Sequence, residues 1–556
     1  MYKHTLVKSK KEVVIAMINV ALNIVYSYLM KITPKKNHNK VILILNNLTG
    51  KNINYETMKV GSYNDVQDVL SNINEKESIR KSKGVYYTPS DVVNFIVKSS
   101  IKLMDGELCP ENISVLDVEH KHYSAFCKKK TAFDPTCGAG EFLLAMLIEK
   151  LNIWDNNSKR TTSKDIETII ETIYGNDENE DSVIITKMRL FLEIVERYGV
   201  EKCINVPIIL NSNFTTNEYV NNPSFNNKMF DIIIGNPPYV EDSKSGLNLN
   251  KRYGNIYANI LVNAAERLEK GGVFGFIIPI SYVSTPRMKK LRDDLYKIVP
   301  IQYILSYSDR PDCLFNSVHQ KLCILICKNV QGEINIFTSN YQYWYKNERE
   351  MLFERTRVIK NAFIRDSYIP KLGNELDVSI FSKIGFKEGR KSILEKVMHT
   401  GEIVYLNMRA AFWIKSFMKK HKGSEYKEYR FKDNGEAEFM MCLWNSSLFW
   451  WYWVVVSDCW HITRKELNDF FVPNIENYEV AIKLAHELEM KLEKTKKYVG
   501  TVQTDYEYKH KYCIDEIHRI DDYIHEIYGL SEEESNYIKK FANAYRVSGG
   551  TVNESN

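Results

Sequence analysis

The residues that point most directly to chemistry are Phe230-Asp231-Ile232-Ile233-Ile234-Gly235-Asn236-Pro237-Pro238-Tyr239. An apolar run of strand length enters a rigid Asn-Pro-Pro-Tyr loop. The side-chain oxygen of Asn236 and the carbonyl of Pro237 can each accept one N–H of an exocyclic amine. Two such acceptors draw the nitrogen out of planar conjugation and expose its lone pair to a methyl donor. Pro237 and Pro238 fix φ and remove competing N–H donors. Tyr239 offers a flat face on which a heteroaromatic ring can stack. The alternative, a rigid turn with no chemistry, loses weight because a second motif stands upstream.

That motif is Phe133-Asp134-Pro135-Thr136-Cys137-Gly138-Ala139-Gly140-Glu141, between a short strand-like run and an apolar helix. Two glycines in a strand-to-helix turn let the backbone approach a ligand closely, and the Asp134 carboxylate suits a cationic amine or a hydroxyl. A Gly-x-Gly turn alone serves only geometry in many α/β proteins, so it counts here in combination. Tyr174-Gly175-Asn176-Asp177 ends the next strand-like run. An acidic residue there suits ribose hydroxyls; capping of the following helix by Asn176 or Asp177 is the alternative. Asn213 and Phe214 supply a polar side chain and an aromatic face of the kind an adenine ring needs. Cys137 reads as a small loop residue, not a nucleophile.

Positioning these loops calls for a parallel α/β sheet, because ligands in such folds sit at the carboxyl ends of strands. Five candidate strands are 131–133, 172–174, Pro207-Ile208-Ile209-Leu210, 230–234 and Gly275-Phe276-Ile277-Ile278. The 556 residues allow three or four structural units, here 1–80, 81–330, 331–475 and 476–556. The 44% hydrophobic and 26% charged content excludes a disordered or fibrous chain. Ten cysteines form no Cys-x-x-Cys pair, so neither a zinc site nor disulfides are expected. The uncharged stretch Val13 to Met30 carries a polar stripe at Asn19, Asn23 and Ser27, which favours a packed or oligomerising helix over a membrane span. The polar tail runs from Ser548 to Asn556, and a cytoplasmic location is expected.

On these motifs the chain resembles the adenine-N6 DNA methyltransferases with gamma-type motif order, the TaqI-like branch of restriction–modification systems. The resemblance is carried by Gly84-Val85-Tyr86-Tyr87-Thr88-Pro89, by Asp134 to Gly140, by Asn236 to Tyr239 and by Gly271 to Pro279. It implies a Rossmann-like S-adenosylmethionine-dependent methyltransferase domain, then an α+β target-recognition domain and C-terminal helices. It places Tyr87, Thr88, Asp134, Thr136, Gly138, Gly140, Asp177, Asn213 and Phe214 on S-adenosylmethionine. Asn236, Pro237, Pro238 and Tyr239 form the catalytic loop, and Phe315 is a second aromatic on the flipped base. Three departures stand out: Asn255 and Asn213 replace the family's usual acidic residues, and Glu178 beside Asp177 is a rival for the ribose. No metal is implied.

The carboxy-terminal third supplies the partner. Residues 409–432 hold eight Lys/Arg against two Glu, a local excess above the +5 of the whole chain. Basic residues interleaved with Phe412, Trp413, Phe417, Tyr426 and Tyr429 suit a nucleic-acid surface, and Arg409, Trp413, Lys415, Lys419, Lys420 and Arg430 are its candidates. A solvated basic face over an aromatic core is the competing account. Trp444, Trp450, Trp451 and Trp453 read as core packing, and His461 as a polar-network or phosphate contact. Together these features predict a site-specific adenine-N6 methyltransferase acting on a flipped adenine in duplex DNA, with a separate restriction endonuclease as a possible partner. The rivals are a protein-glutamine or ribosomal-RNA methyltransferase and a non-catalytic DNA-binding specificity protein. The first 80 residues show no Asp…Glu-x-Lys cluster on strand-like runs, so no cleavage activity is expected.

Overall fold

The computed structural model describes residues 18–50, 54–73, 87–106, 108, 123–225, 227–315, 319–502 and 504–547. The expectations for the basic start, Gly84 to Tyr86, Cys109 and the tail 548–556 lie outside them. Nine strands form one sheet: β1 (Ala132–Asp134), β2 (Ile173–Asp177), β3 (Phe214–Thr216), β4 (Phe230–Gly235), β5 (Leu268–Pro279), β6 (Ile301–Tyr307), β7 (Leu322–Lys328), β8 (Asn335–Gln342) and β9 (Ile359–Lys360). Their order is β3-β2-β1-β4-β5-β7-β6-β8-β9. The first five are parallel. β7 runs antiparallel between β5 and β6.

The central strands are apolar on both faces because both are covered. Phe230 and Ile233 of β4, Phe274 and Phe276 of β5, and Cys323 and Leu325 of β7 enter one core. Ile232 and Ile234, Val273 and Ile277, and Ile324 and Ile326 enter the other. This period of two is the pleat of the strand. Helices Ser90–Asp105, Glu141–Asn157 and Glu180–Tyr198 pack into the second core. Helix Ile256–Ala265 and the carboxy-terminal helices pack into the first.

One expected strand is corrected. Residues 207–210 lie in a helix, Val206–Asn213, with Pro207 in its first turn. Val206, Pro207, Leu210 and Asn213 are buried, a helical spacing, whereas Ile208 is 64% exposed. Proline is tolerated at the start of a helix, where its missing N–H costs nothing. The strand that follows is β3.

The polar stripe on the leader helix has a structural use. Ile18, Leu22, Val25 and Leu29 enter the second core. On the polar side, the Glu56 N–H donates to Asn23 Oδ1 at 3.0 Å and the Met58 N–H to Ser27 Oγ at 2.7 Å. Among the described residues no single helix is long and apolar enough to cross a membrane. The bent apolar pair Asn434–Asn445 and Ser447–Val456 is buried from Glu436 to Val456. Its four tryptophans are at most 1% exposed, and three of the indoles donate, to Ala411 O, Asp377 Oδ1 and His461 O. The nine described cysteines are buried free thiols.

Burial pushes the imidazoles of His510 and His525 down to about 3. Both are neutral in the folded chain, while an unfolded histidine titrates at about 6.5. Below that pH the unfolded state binds protons that the folded state refuses, so stability is lost as pH falls from about 6.5 toward 3. His510→Gln, which retains an N–H for Asn445 Oδ1, 3.0 Å from His510 Nε2, should flatten the fall of Tm with acidification between about pH 6.5 and 5. An unchanged slope would refute this account.

Candidate active site

In an open parallel sheet the natural crevice lies where the strand order reverses, outside the carboxyl ends. Here that point is between β1 and β4, and both sequence motifs meet there. β1 ends at Asp134 and β4 at Gly235. A Cβ added to Gly235 would lie 2.7 Å from Asp134 Oδ1, so only glycine lets the two strand ends close up.

Asp134 is 1% exposed, and its Oδ1 accepts the Thr136 N–H at 3.0 Å. Burial pushes its carboxyl well above the usual range; the Thr136 N–H opposes this and the Asp177 charge adds to it. A cationic amine beside it would favour the ionised form. Gly138 and Gly140 hold positive φ, +52° and +87°, and Gly140 opens helix Glu141–Asn157. Beside the loop, burial and the nearby Glu141 carboxylate push the half-buried Tyr87 phenol up.

The loop is held from behind. Thr186 Oγ1 donates to Gly138 O at 2.8 Å, and Arg189 Nη1 to Ala139 O at 2.7 Å and to the Glu141 carboxylate. Arg189 Nε donates to Gln67 Oε1 at 2.9 Å, while Gln67 Nε2 donates to Arg189 O at 3.1 Å. Helix Tyr63–Asn72 thus braces the loop through one buried guanidinium. Arg189, Gln67 and Thr186 were not foreseen, because each lies far along the chain from its partner in the loop.

Asp177 faces the same loop: its Oδ2 accepts the Gly138 N–H at 2.9 Å and its Oδ1 the Asn179 N–H at 2.9 Å. Glu178 is exposed. Neither Asn176 nor Asp177 caps the next helix. Asn179 does, its side chain accepting from the Asp181 N–H. Asn176 is fully buried and donates to Pro135 O and Asn217 O.

Asn213 is turned to the amino end of the sheet, whereas Phe214 packs beside the β2 residue that pairs with Asp134. Asn213 Nδ2 donates to the carbonyls of Ile170, Glu171 and Ile173 at 3.1–3.3 Å, at the amino end of β2. The Phe214 ring lies against Gly175, where an added Cβ would be 2.4 Å from Cε1 and 2.9 Å from Leu143 Cδ1. With helix 206–213 in place of a strand, the carboxyl end of β3 is Thr216, opposite Asp177. Asn255 caps helix Ile256–Ala265 by accepting the Tyr257 N–H.

The Asn-Pro-Pro-Tyr loop is anchored at both ends. Asn236 Nδ2 donates to Thr88 Oγ1 at 3.0 Å, which turns Oδ1, the acceptor, away from Thr88. Tyr239 Oη donates to Ile277 O at 2.8 Å, and its half-buried ring stands edge-on to Tyr257. Phe315 is 1% exposed, in the β6–β7 connection. Arg349, also unforeseen, donates to Cys313 O and Leu314 O and pairs with Asp91 at 2.6 Å. It thereby ties the Phe315 turn to the helix that begins just after Thr88-Pro89.

The basic segment is mixed. Lys419 and Lys420 are exposed, as is Arg409. Arg430 is half-exposed, 3.6 Å from Glu428. Burial pushes the Lys415 ammonium down, and one face of Trp413 is covered by the Arg546 guanidinium at 4.2 Å. Both side chains are half-buried and, with Arg409, line a cleft beside the carboxy-terminal region.

A doubly wound sheet with a glycine loop and an Asn-Pro-Pro-Tyr loop meeting at its switch point is the fold of the Rossmann-like methyltransferases. Residues 171–312 match the model of the Eco57I restriction-modification methylases. A putative type II restriction enzyme and methyltransferase of Methanocaldococcus jannaschii is 29% identical over 169 residues, 24% of this chain and 14% of that protein. The type II methyltransferase M.BanIII of Aneurinibacillus aneurinilyticus is 27% identical over 241 residues, 41% of this chain and 36% of that protein. The chain thus spans well under half the length of either relative. The fold is shared with the type IIL restriction-modification enzyme MmeI solved in complex with DNA, with TM-score 0.51, 12% identity and coverage of 87% and 81%.

Replacing Arg189 with Met strands the Glu141 carboxylate, whose side chain is 17% exposed. Breaking such a pair costs about 3–5 kcal/mol. Arg189→Met should therefore lower Tm and speed amide exchange at Ala139 and Gly140. Unaltered exchange there would disprove the bracing role.

Proposed function

We propose that this protein is a site-specific DNA adenine-N6 methyltransferase that uses S-adenosylmethionine. The observation that carries this reading is the Asn236 amide, oriented by Thr88 at the end of β4 beside the closed contact of Gly235 with Asp134. The cofactor fits the residues present. Positive-φ glycines admit close backbone approach, and a buried carboxyl whose ionisation a cation would favour suits the amine of an amino-acid moiety. Asp177, at the end of β2, is available to sugar hydroxyls by exchanging its backbone partners. Tyr87, Thr88, Asp134, Thr136, Gly138, Gly140 and Asp177 form the proposed cofactor set.

S-adenosylmethionine supplies a sulfonium-activated methyl group. The protein's own task is positioning. Asn236 Oδ1 and the Pro237 carbonyl accept the two N–H groups of the adenine amine. Pro238 stiffens the loop, and Tyr239, pinned through its hydroxyl, stacks on the base. Phe315 is assigned to the second side of the base. Extruding the adenine costs a few kcal/mol, and the carboxy-terminal region offsets it by gripping the duplex through exposed cations, Lys419, Lys420, Arg409 and Arg430.

Asn236→Ala should bind S-adenosylmethionine normally in calorimetry yet transfer methyl groups about 10²–10³-fold more slowly; near-normal transfer sinks the assignment. Tyr239→Ala should lose about 1–3 kcal/mol of stacking, seen as slower labelling of unmethylated DNA, whereas Tyr239→Phe keeps the ring and loses less. The double variant Lys419→Ala, Lys420→Ala should reduce the slope of log K against log salt for duplex binding by about two. A slope equal to that of the parent would remove these lysines from the DNA surface.

A further inference from the structure

On the same edge of the sheet lies a cleft of about 460 Å³ between the β6–β7 connection and the carboxy-terminal region. Its volume is that of a small-molecule site. Asp309 follows β6, Lys321 precedes β7, and both line it together with Trp460, Tyr343 and the basic residue Arg409. Asp309 is 2% exposed. Its Oδ1 lies 3.2 Å from Lys321 Nζ, which sits 3.4 Å over the Trp460 ring. Its Oδ2 is buried with no hydrogen-bond partner among the described residues. A buried carboxylate oxygen is costly unless a donor meets it, and Asp309 is among the residues that line the cleft.

These groups match one kind of ligand. Aromatic walls take a planar ring, an acceptor deep in the cleft takes a ring or amine N–H, and the Arg409 guanidinium takes a phosphate. From the geometry we infer that the cleft binds a nucleotide by its base, with Asp309 Oδ2 accepting an N–H and Arg409 holding the phosphate. Resting on the methyltransferase reading, the occupant is an unstacked nucleotide of the bound DNA other than the one methylated. The route from β4 through β5 and β7 to β6 is three strand spacings, about 14 Å. The cleft is therefore separate from the Asn236 loop and within reach of the same DNA.

Saturation-transfer NMR of the full chain with deoxynucleoside monophosphates tests the site. Binding by the parent should weaken about tenfold in Asp309→Asn and in Arg409→Ala, the loss of one charge-assisted hydrogen bond. No binding by the parent, or binding by both variants as tight as the parent's, overturns the assignment. Arg409 is exposed, so Arg409→Ala stays informative should Asp309→Asn fail to fold. A short single-stranded oligonucleotide should displace the mononucleotide. Retention of the mononucleotide under saturating oligonucleotide would identify a site for free nucleotides and overturn the DNA source. None of these readouts requires methyl transfer, so the failure of either reading is visible independently of the other.

Discussion

The hydrogen bond from Asn236 Nδ2 to Thr88 Oγ1 joins the end of β4 to a segment 148 residues earlier. An asparagine amide carries a donor end and an acceptor end, and an exocyclic amine needs the acceptor. With the donor taken up by Thr88, the acceptor end is the one left for the amine. The rest of this edge of the sheet holds the contact in place. Pro89 leads into helix Ser90–Asp105, Asp91 in its first turn is gripped by Arg349, and Arg349 also holds the carbonyls before Phe315. Three loops from distant parts of the chain are thereby tied to one another by a threonine and an arginine.

A similar economy operates behind the glycine loop. Its carbonyls are held by Thr186 and Arg189 on one helix, and Arg189 is held in turn by Gln67. The leader region belongs to this support: helix Tyr63–Asn72 contacts the helix that carries Arg189, and the segment before it is hung on Asn23 and Ser27. Buried charge is tolerated because each N–H of Arg189 in the contacts described meets a carbonyl or carboxylate oxygen, the condition under which such a group is not destabilising.

What the sequence revealed follows from the range over which each interaction acts. β1, β2, β4 and β5 were legible because a strand covered on both faces is a short apolar run ended by Gly, Asn or Pro. The tryptophan-rich run was legible as core for the same reason. Residues 207–210 were misread because four apolar residues fit a buried strand as well as one turn of helix, and the deciding fact, that Ile208 faces solvent, is tertiary. The motif residues Asp134, Gly138, Gly140, Asp177 and Asn236 do converge on one edge. Arg189, Gln67 and Arg349 left no signal, since nothing local marks a side chain whose partners lie far along the chain. The charge count over 409–432 could not separate exposed cations from half-buried ones: Trp413, packed against Arg546 and His510, and Lys415, whose ammonium burial pushes down, line a cleft instead of standing free on the surface.

The reversed strand β7 decides what else can reach the edge that carries the Asn236 loop. In a wholly parallel sheet each connection leaves one edge and re-enters at the other. Because β7 is antiparallel to β6, the connection from Ser308 to Lys321 both starts and ends at the edge where β4 and β5 terminate. Phe315, Asp309 and Lys321 therefore lie at the same edge of the sheet as the Asn236 loop instead of a full strand length away, about 23 Å for seven residues. The same reversal brings the carboxy-terminal region, through Trp460 over Lys321, against the edge where the methyl group would be transferred. One inverted strand thus supplies the turn bearing the second aromatic, the wall of the cleft and the seat for the region proposed to hold DNA.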